Sequence, residues 1–278
     1  MSPVHGVIDS HCHLQDPKFD GQHEAVVRRA REAGVSDLVV VGYDLESSRR
    51  AVELTRSFAS VYATVGIHPH DAKTLTPSGV DALARLAEDP SVVAIGEIGL
   101  DFYRNLSSPD RQRQAFREQL SLARSRHLPV VIHARDADNE AFDILSLYPA
   151  SVKPEWVTNR PLGVMHCFAG DLPLALRYVE LGFLISIAGT ITYHNAAKMR
   201  AVARDIPLES IVVETDAPYL TPQSRRGQRN EPAYSVETAR FIAELRSEPF
   251  GVIAQMTSVN AARLFALDLV PQPAGERP

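Results

Sequence analysis

The chain has 278 residues, of which 45% are hydrophobic and 23% charged, enough to bury one full barrel core or two smaller ones, and most of it is expected to be ordered. A formal charge of -5 excludes a broad basic surface that holds a polyanion by counterion release, and two cysteines, Cys12 and Cys167, exclude a disulfide framework. Asp9, His11 and His13 interrupt any apolar leader and no run approaches the roughly eighteen apolar residues of a membrane helix, so a cytoplasmic protein with no membrane partner is expected.

The apolar run Val7-Ile-Asp-Ser-His-Cys-His13 reads as a strand. Glu24 to Gly34 carries apolar residues at helical spacing and stops on glycine; Asp37 to Val41 is then a short buried strand. The alternation continues with helix Leu45 to Phe58, strand Tyr62 to Ile67, helix Val80 to Glu88, strand Val92 to Ile95 and helix Arg111 to His127. Strand Pro129 to Ile132, helix Ala137 to Leu147, strand Leu162 to Met165, helix Leu172 to Leu181 and strand Phe183 to Ile187 follow. Helix Ala196 to Arg204, strand Ile211 to Val213, helix Ser235 to Arg246 and a last helix, Val252 to Phe265, complete the pass.

Eight such strand-helix units in about 250 residues predict a single-domain (β/α)8 TIM barrel with an extra C-terminal helix. The rival is an open doubly wound sheet, but no Gly-x-Gly-x-x-Gly turn follows the first strand. The barrel is expected over residues 1–267 and a disordered tail over 268–278, Pro-rich from Pro271. The linker Ala150 to Pro161 is expected to pack over the barrel's side.

In such a barrel the C-terminal strand ends converge on one mouth. Six of the eight deliver His, Glu or Asp: His11 and His13; His68 and His70; Glu97 and Asp101; His133; His166; Glu214 and Asp216. Singly, each has an ordinary explanation, since His68 before Pro69 can cap a turn, Glu97 and Asp101 can be solvated acids, and a histidine can be a hydrogen-bonded core residue. Together they would lose hydration at one mouth unless something binds them, and a metal meets that need. Alternate strand residues face the same way, so His11 and His13 share a face.

Four histidines and two carboxylates exceed the ligands of one tetrahedral ion. The assignment is two divalent ions: His11, His13 and Asp216 hold one, His133 and His166 the other, and Glu97 bridges them. Ions roughly 3.5 to 4 Å apart would activate a bridging water, with Asp216 able to take its proton, which makes Glu97 and Asp216 the catalytic pair. Imidazole ligands favour Zn or Mn, oxygen ligands Mg. Both cysteines adjoin ligand histidines and are expected to point outward, between barrel and helices, as small buried hydrophobes.

The set Asp9-Ser-His-Cys-His-Leu14, Gly66-Ile-His-Pro-His70, Gly96-Glu-Ile-Gly-Leu-Asp101, Ile132-His-Ala-Arg135, His166-Cys-Phe-Ala-Gly170 and Glu214-Thr-Asp-Ala-Pro-Tyr-Leu-Thr-Pro222 resembles the TatD family of metal-dependent deoxyribonucleases, a branch of the amidohydrolase superfamily. The resemblance runs from about Ile8 to Phe265 and includes Arg226-Gly-Gln-Arg-Asn-Glu-Pro232. It implies the same metal ligands and metal-dependent cleavage of DNA, commonly 3′ to 5′ and on single strands. One departure is Gln15, where many relatives carry Asp; Asp16 follows.

That substrate class gives roles to residues outside the metal set. Arg225, Arg226 and Arg229, in a loop with Gly227 and ending at Asn230, are candidates to clamp phosphate, with Arg226 and Asn230 as direct substrate contacts. Arg135 and His68 are further candidates to contact phosphate, against support of the metal ligands as the alternative for each; Tyr103, Phe102 and Tyr219 are candidates to stack on a terminal base, against ordinary packing as the alternative. DNA is the expected partner of a monomer. The alternatives are a hydrolase of a small ester, lactone or amide, or of an aminoacyl-tRNA ester, and a non-enzymatic protein with structural metals.

Overall fold

The computed structural model describes residues 6–152 and 160–268. Eight parallel strands lie in sequence order around a nearly closed barrel: β1 (Val7–Cys12), β2 (Val35–Val41), β3 (Val61–Val65), β4 (Val92–Asp101), β5 (Val130–Arg135), β6 (Gly163–Met165), β7 (Phe183–Ile187) and β8 (Ile211–Val213). The helices between them are α1 (His23–Ala33), α2 (Leu45–Ser57), α3 (Pro77–Leu86), α4 (Pro109–Arg126), α5 (Asp138–Ser146), α6 (Leu172–Glu180), α7 (Ala197–Asp205) and α8 (Ser235–Arg246), and α9 (Phe250–Phe265) is the extra C-terminal one. Local sequence punctuates them. Gly34, at φ +100, ends α1 in the left-handed conformation that glycine adopts without steric cost. Asp44 and Ser47 close a reciprocal capping box at the start of α2.

Two apolar layers hold the barrel. One lies between strands and helices; the other fills the barrel with Ile8, Val39, Val93, Val131, Val164, Leu184 and Val212. Ala261, Leu264 and Phe265 of α9 pack into that inner layer and plug the N-terminal end. Each large side chain so buried contributes roughly 1.5–3 kcal/mol. The same helix stitches the chain ends together, because Ser258 Oγ accepts from Ile8 N at 3.2 Å and Asn260 Nδ2 donates to the Leu208 and Ile211 carbonyls at 2.8 Å each. With that end sealed, the opposite end is the mouth.

The seam between β1 and β8 closes just beyond the strands. Asp216 N donates to His11 O at 2.9 Å and His13 N to Ala217 O at 2.7 Å, which brings the first and last predicted ligands together. Two strands outrun their expected bounds. β4 continues past Ile95 to Asp101 and β5 past Ile132 to Arg135, paired Gly99 to His133. Gly99 sits at φ +143, and a Cβ there would lie 1.9 Å from the His133 carbonyl oxygen, so glycine is what lets the two strands stay in contact. The expected side-packing linker falls mostly at 153–159, and the expected tail, Asp268 apart, at 269–278; both lie outside the described residues.

Candidate metal centre

Glu97 is the centre of the site. It is 4% exposed, and its two carboxylate oxygens face two histidine groups. Oε2 lies 3.6 Å from His11 Nε2 and 3.8 Å from His13 Nε2. Oε1 lies 2.9 Å from His133 Nδ1, 3.4 Å from His68 Nε2 and 3.5 Å from His166 Nε2. Asp216 Oδ1 completes the β1 side at 3.3 Å from His13 Nε2 and 3.7 Å from His11 Nε2.

The far side of each ring shows which nitrogen is left to bind. His13 Nδ1 is 2.8 Å from the Val41 carbonyl, which only accepts, so Nδ1 carries the proton and Nε2 turns its lone pair inward. His166 Nδ1 is fixed in the same way by Glu214, which also accepts from Ser186 Oγ at 2.6 Å and Cys167 N at 2.8 Å. For His133 the roles swap: Asp101 Oδ2 takes the Nε2 proton at 3.1 Å, leaving Nδ1 for whatever Glu97 binds. His68 differs, because its Nδ1 accepts from His70 N at 3.1 Å, so a neutral His68 presents an Nε2 proton. His11 Nδ1 is buried without a partner.

These pairings account for the electrostatics. Burial drives His68 down to about 4, so it stays neutral, and burial together with the neighbouring His166 holds His11 well below its usual range. Burial would also lower His166, but the Glu214 and Glu97 carboxylates outweigh it and lift it to about 10, so without a cation it carries a second proton on Nε2, the one that a bound metal would displace. Burial would raise Glu97, yet the imidazoles of His68, His166 and His133 keep it ionised. Among the described residues, no lysine or arginine pairs with Glu97 or Asp216. Inward lone pairs and two carboxylates without a fixed cation are a donor set suited to divalent metal.

The ligand atoms of four groups lie within 4.8 Å of one another: His11, His13 and Asp216; His11, Glu97 and His166; His68, Glu97 and His133; and, behind the floor, His166, Cys167 and Glu214. The first is the trio expected for one ion. His133 and His166, expected to share the other, meet at Glu97 Oε1 but cluster with different neighbours, His133 with His68 and His166 with His11.

The remaining expected contacts separate into three kinds. Arg135 reaches the mouth, its guanidinium 3.9 Å from the Tyr103 ring centre, and both Tyr103 and Tyr219 are exposed. Arg226 is exposed and lies over the Tyr193 ring, whereas Arg225 is paired with Glu237 and Arg229 with Glu231. Asn230 is corrected: it is fully buried and spends its amide on the Thr215 and Tyr219 carbonyls, so it braces the loop instead of facing solvent. Cys167 is corrected as well. β6 ends at Met165 and Cys167 takes φ +43, so strand alternation no longer applies and it lines the mouth; Cys12 is buried in the layer between barrel and helices, as expected.

Three acids were missed as anchors. Glu214 holds His166, Asp101 holds His133, and Asp9, pushed up to about 8 by burial against the Thr215 hydrogen bonds, ties β1 to the chain after β8. Only Asp101, four residues from Glu97 on the same strand, carried a signal in its parity; β1 shifts register between Asp9 and Cys12, and β8 ends at Val213, before Glu214 and Asp216.

Comparison with known proteins agrees with this geometry. The family model described as TatD related DNase matches residues 8–266. An uncharacterized metal-dependent hydrolase, YabD of Bacillus subtilis, is 38% identical over 94% of this chain and 100% of its own. The 3'-5' ssDNA/RNA exonuclease TatD of Klebsiella pneumoniae is 35% identical over 95% of this chain and 99% of its own. The crystal structure of YJJV, a TatD homologue from Escherichia coli, is 34% identical, covers 95% of this chain and 100% of its own, and superposes with a TM-score of 0.87. With the barrel, the histidine and carboxylate floor and these full-length matches in agreement, this chain belongs to the TatD related DNase family of metal-dependent hydrolases.

Proposed function

We propose that the protein removes nucleotides from the 3′ ends of single-stranded DNA, using a two-metal site held by His11, His13, Glu97, His133, His166 and Asp216, with Mg, Mn or Zn as the ions. The observation that carries this reading is Glu97, whose two oxygens each face a separate set of histidine nitrogens. When bound there, divalent cations lower the pKa of a water and neutralise the leaving oxygen. The chain's own residues do the rest. Asp216 lies on the floor to receive the water's proton. Neutral His68 presents Nε2–H to a phosphoryl oxygen, and Arg135 and Arg226 are exposed to meet the flanking backbone, with Tyr219 at the rim.

The mouth supports a nucleotide-sized substrate. Its cavity of about 820 Å³ runs from His13 and Glu97 up to Arg104, Arg135 and Tyr219. Relatives of matching length are named 3'-5' ssDNA/RNA exonucleases. Among the described residues no helix is long and apolar enough to cross a membrane. The experiment is digestion of 3′-labelled and 5′-labelled single strands with Mg, Mn and Zn, beside a Glu97→Ala control. Stepwise loss of label from the 3′ end is expected in the wild type alone; equal cleavage by the control would reject the site.

A further inference from the structure

Because the strands run round the barrel in sequence order, the strand that precedes a lining residue fixes its position on the rim. The mouth is strongly uneven when read this way. After β3 come His68, His70 and Asp71, after β4 comes Arg104, and β5 itself ends in Arg135. From β6 to β8 the wall above His166 and Asp216 changes to Cys167, Ala169, Thr190, Met199, Tyr219 and Leu220, without a charge. Its hydroxyls are already engaged, since Thr190 Oγ1 lies 3.5 Å from Met199 Sδ and Tyr219 donates to Asp16 Oδ2 at 2.9 Å.

A charged ester cannot stay on that wall without losing hydration, whereas the flat face of a heteroaromatic ring can, with the Met199 sulfur as a soft partner. We propose that the β6–β8 side of the mouth is a nucleobase subsite, built from Ala169, Met199 and Leu220, which grips the base by its faces while the attached phosphate lies toward Arg104 and Arg135. This rests on the phosphodiesterase reading above. With no unspent donor or acceptor among those three side chains to read a base edge, the wall accepts any base.

The test is calorimetric and needs no turnover. The full-length protein, supplied with Mg, is titrated with dAMP, with dTMP and with 2-deoxyribose 5-phosphate. Both nucleotides should bind about tenfold more tightly than the bare sugar phosphate, a typical size for face contact with one base. Met199→Ala should remove most of that ratio without changing the affinity for the sugar phosphate. Ala169→Glu, at an exposed position, should remove it independently should the first variant fold poorly. The proposal is overturned by equal affinities in the wild type, by a ratio that survives both variants, or by a tenfold preference between dAMP and dTMP. Intact ratios in a protein that fails to digest DNA would remove the nuclease reading and leave the base subsite; digestion with no ratio would do the reverse.

Discussion

The floor and the rim of the mouth are built in opposite ways. On the floor the inward nitrogens of His13, His133 and His166 are set from behind, by Val41 O, Asp101 and Glu214, and Glu97 and His11 are almost wholly buried. On the rim, Tyr103 is 58% exposed, Arg135 rests on it, and Arg226 lies over Tyr193. On the function proposed above, the difference follows from what each would do. Ions need ligand atoms fixed in place before they arrive, whereas a flexible polyanion can be met by side chains that adjust to it.

The floor should therefore be intolerant of change, and Glu97→Gln tests it most severely. The change keeps the side chain's size but removes the charge shared by both histidine groups, so hydrolysis should fall by about 10³-fold, the scale of the several kcal/mol that bound cations supply. Initial rates with each metal measure it, and a residual rate within tenfold of wild type would break the contrast. Glu214→Gln should act one step back. It touches no inward atom, but the loosened His166 should cost about 10 to 100-fold in metal affinity. Metal titration reads this directly, and added metal should restore the rate for Glu214→Gln and not for Glu97→Gln. Asp101→Asn should do the same near the tenfold end, because the His133 side chain is 18% exposed against 4% for His166.

Such anchors were less legible in the sequence than the residues they hold. His11 and His13 stand out because a strand period of two puts both on one face, and eight strand-helix units give the barrel and hence the convergence of distant strand ends. Other features depended on partners that no local pattern contains. The strand expected over Val92 to Ile95 runs on through Gly96 and Gly99 to Asp101, and a side chain at 99 would collide with the next strand. Cys167 was carried outward by an alternation that had stopped at Met165. Arg225, Arg226 and Arg229 look alike in a basic loop, and only the fold reveals that Glu237 and Glu231 neutralise two of them.

The rim should yield smaller effects. Arg135→Ala should raise KM about three to tenfold and leave kcat nearly unchanged, since an exposed guanidinium contributes about 1 kcal/mol to holding a backbone phosphate, and the effect should fade as salt rises. A comparable fall in kcat would place Arg135 with the floor.

Glu231 gives the mildest test, because it braces the rim without facing the substrate. Arg29 reaches both of its carboxylate oxygens, at 2.7 and 2.8 Å, and Arg229 adds a bond of 3.0 Å, tying α1 to the loop that carries Arg226. Burial would raise the Glu231 carboxyl, but the two arginines outweigh it and hold it below the usual glutamate range. A carboxyl lowered in the folded state stabilises fully above its unfolded value, near pH 4, and loses that contribution as pH falls through the folded value. Glu231→Gln should accordingly lower stability by about 1 kcal/mol at pH 7, with the gap from wild type closing toward pH 3. Urea unfolding at both pH values measures it. A gap that stays constant would mean that Glu231 acts through its shape and not its charge, and would place the brace with the apolar packing instead of the charged rim.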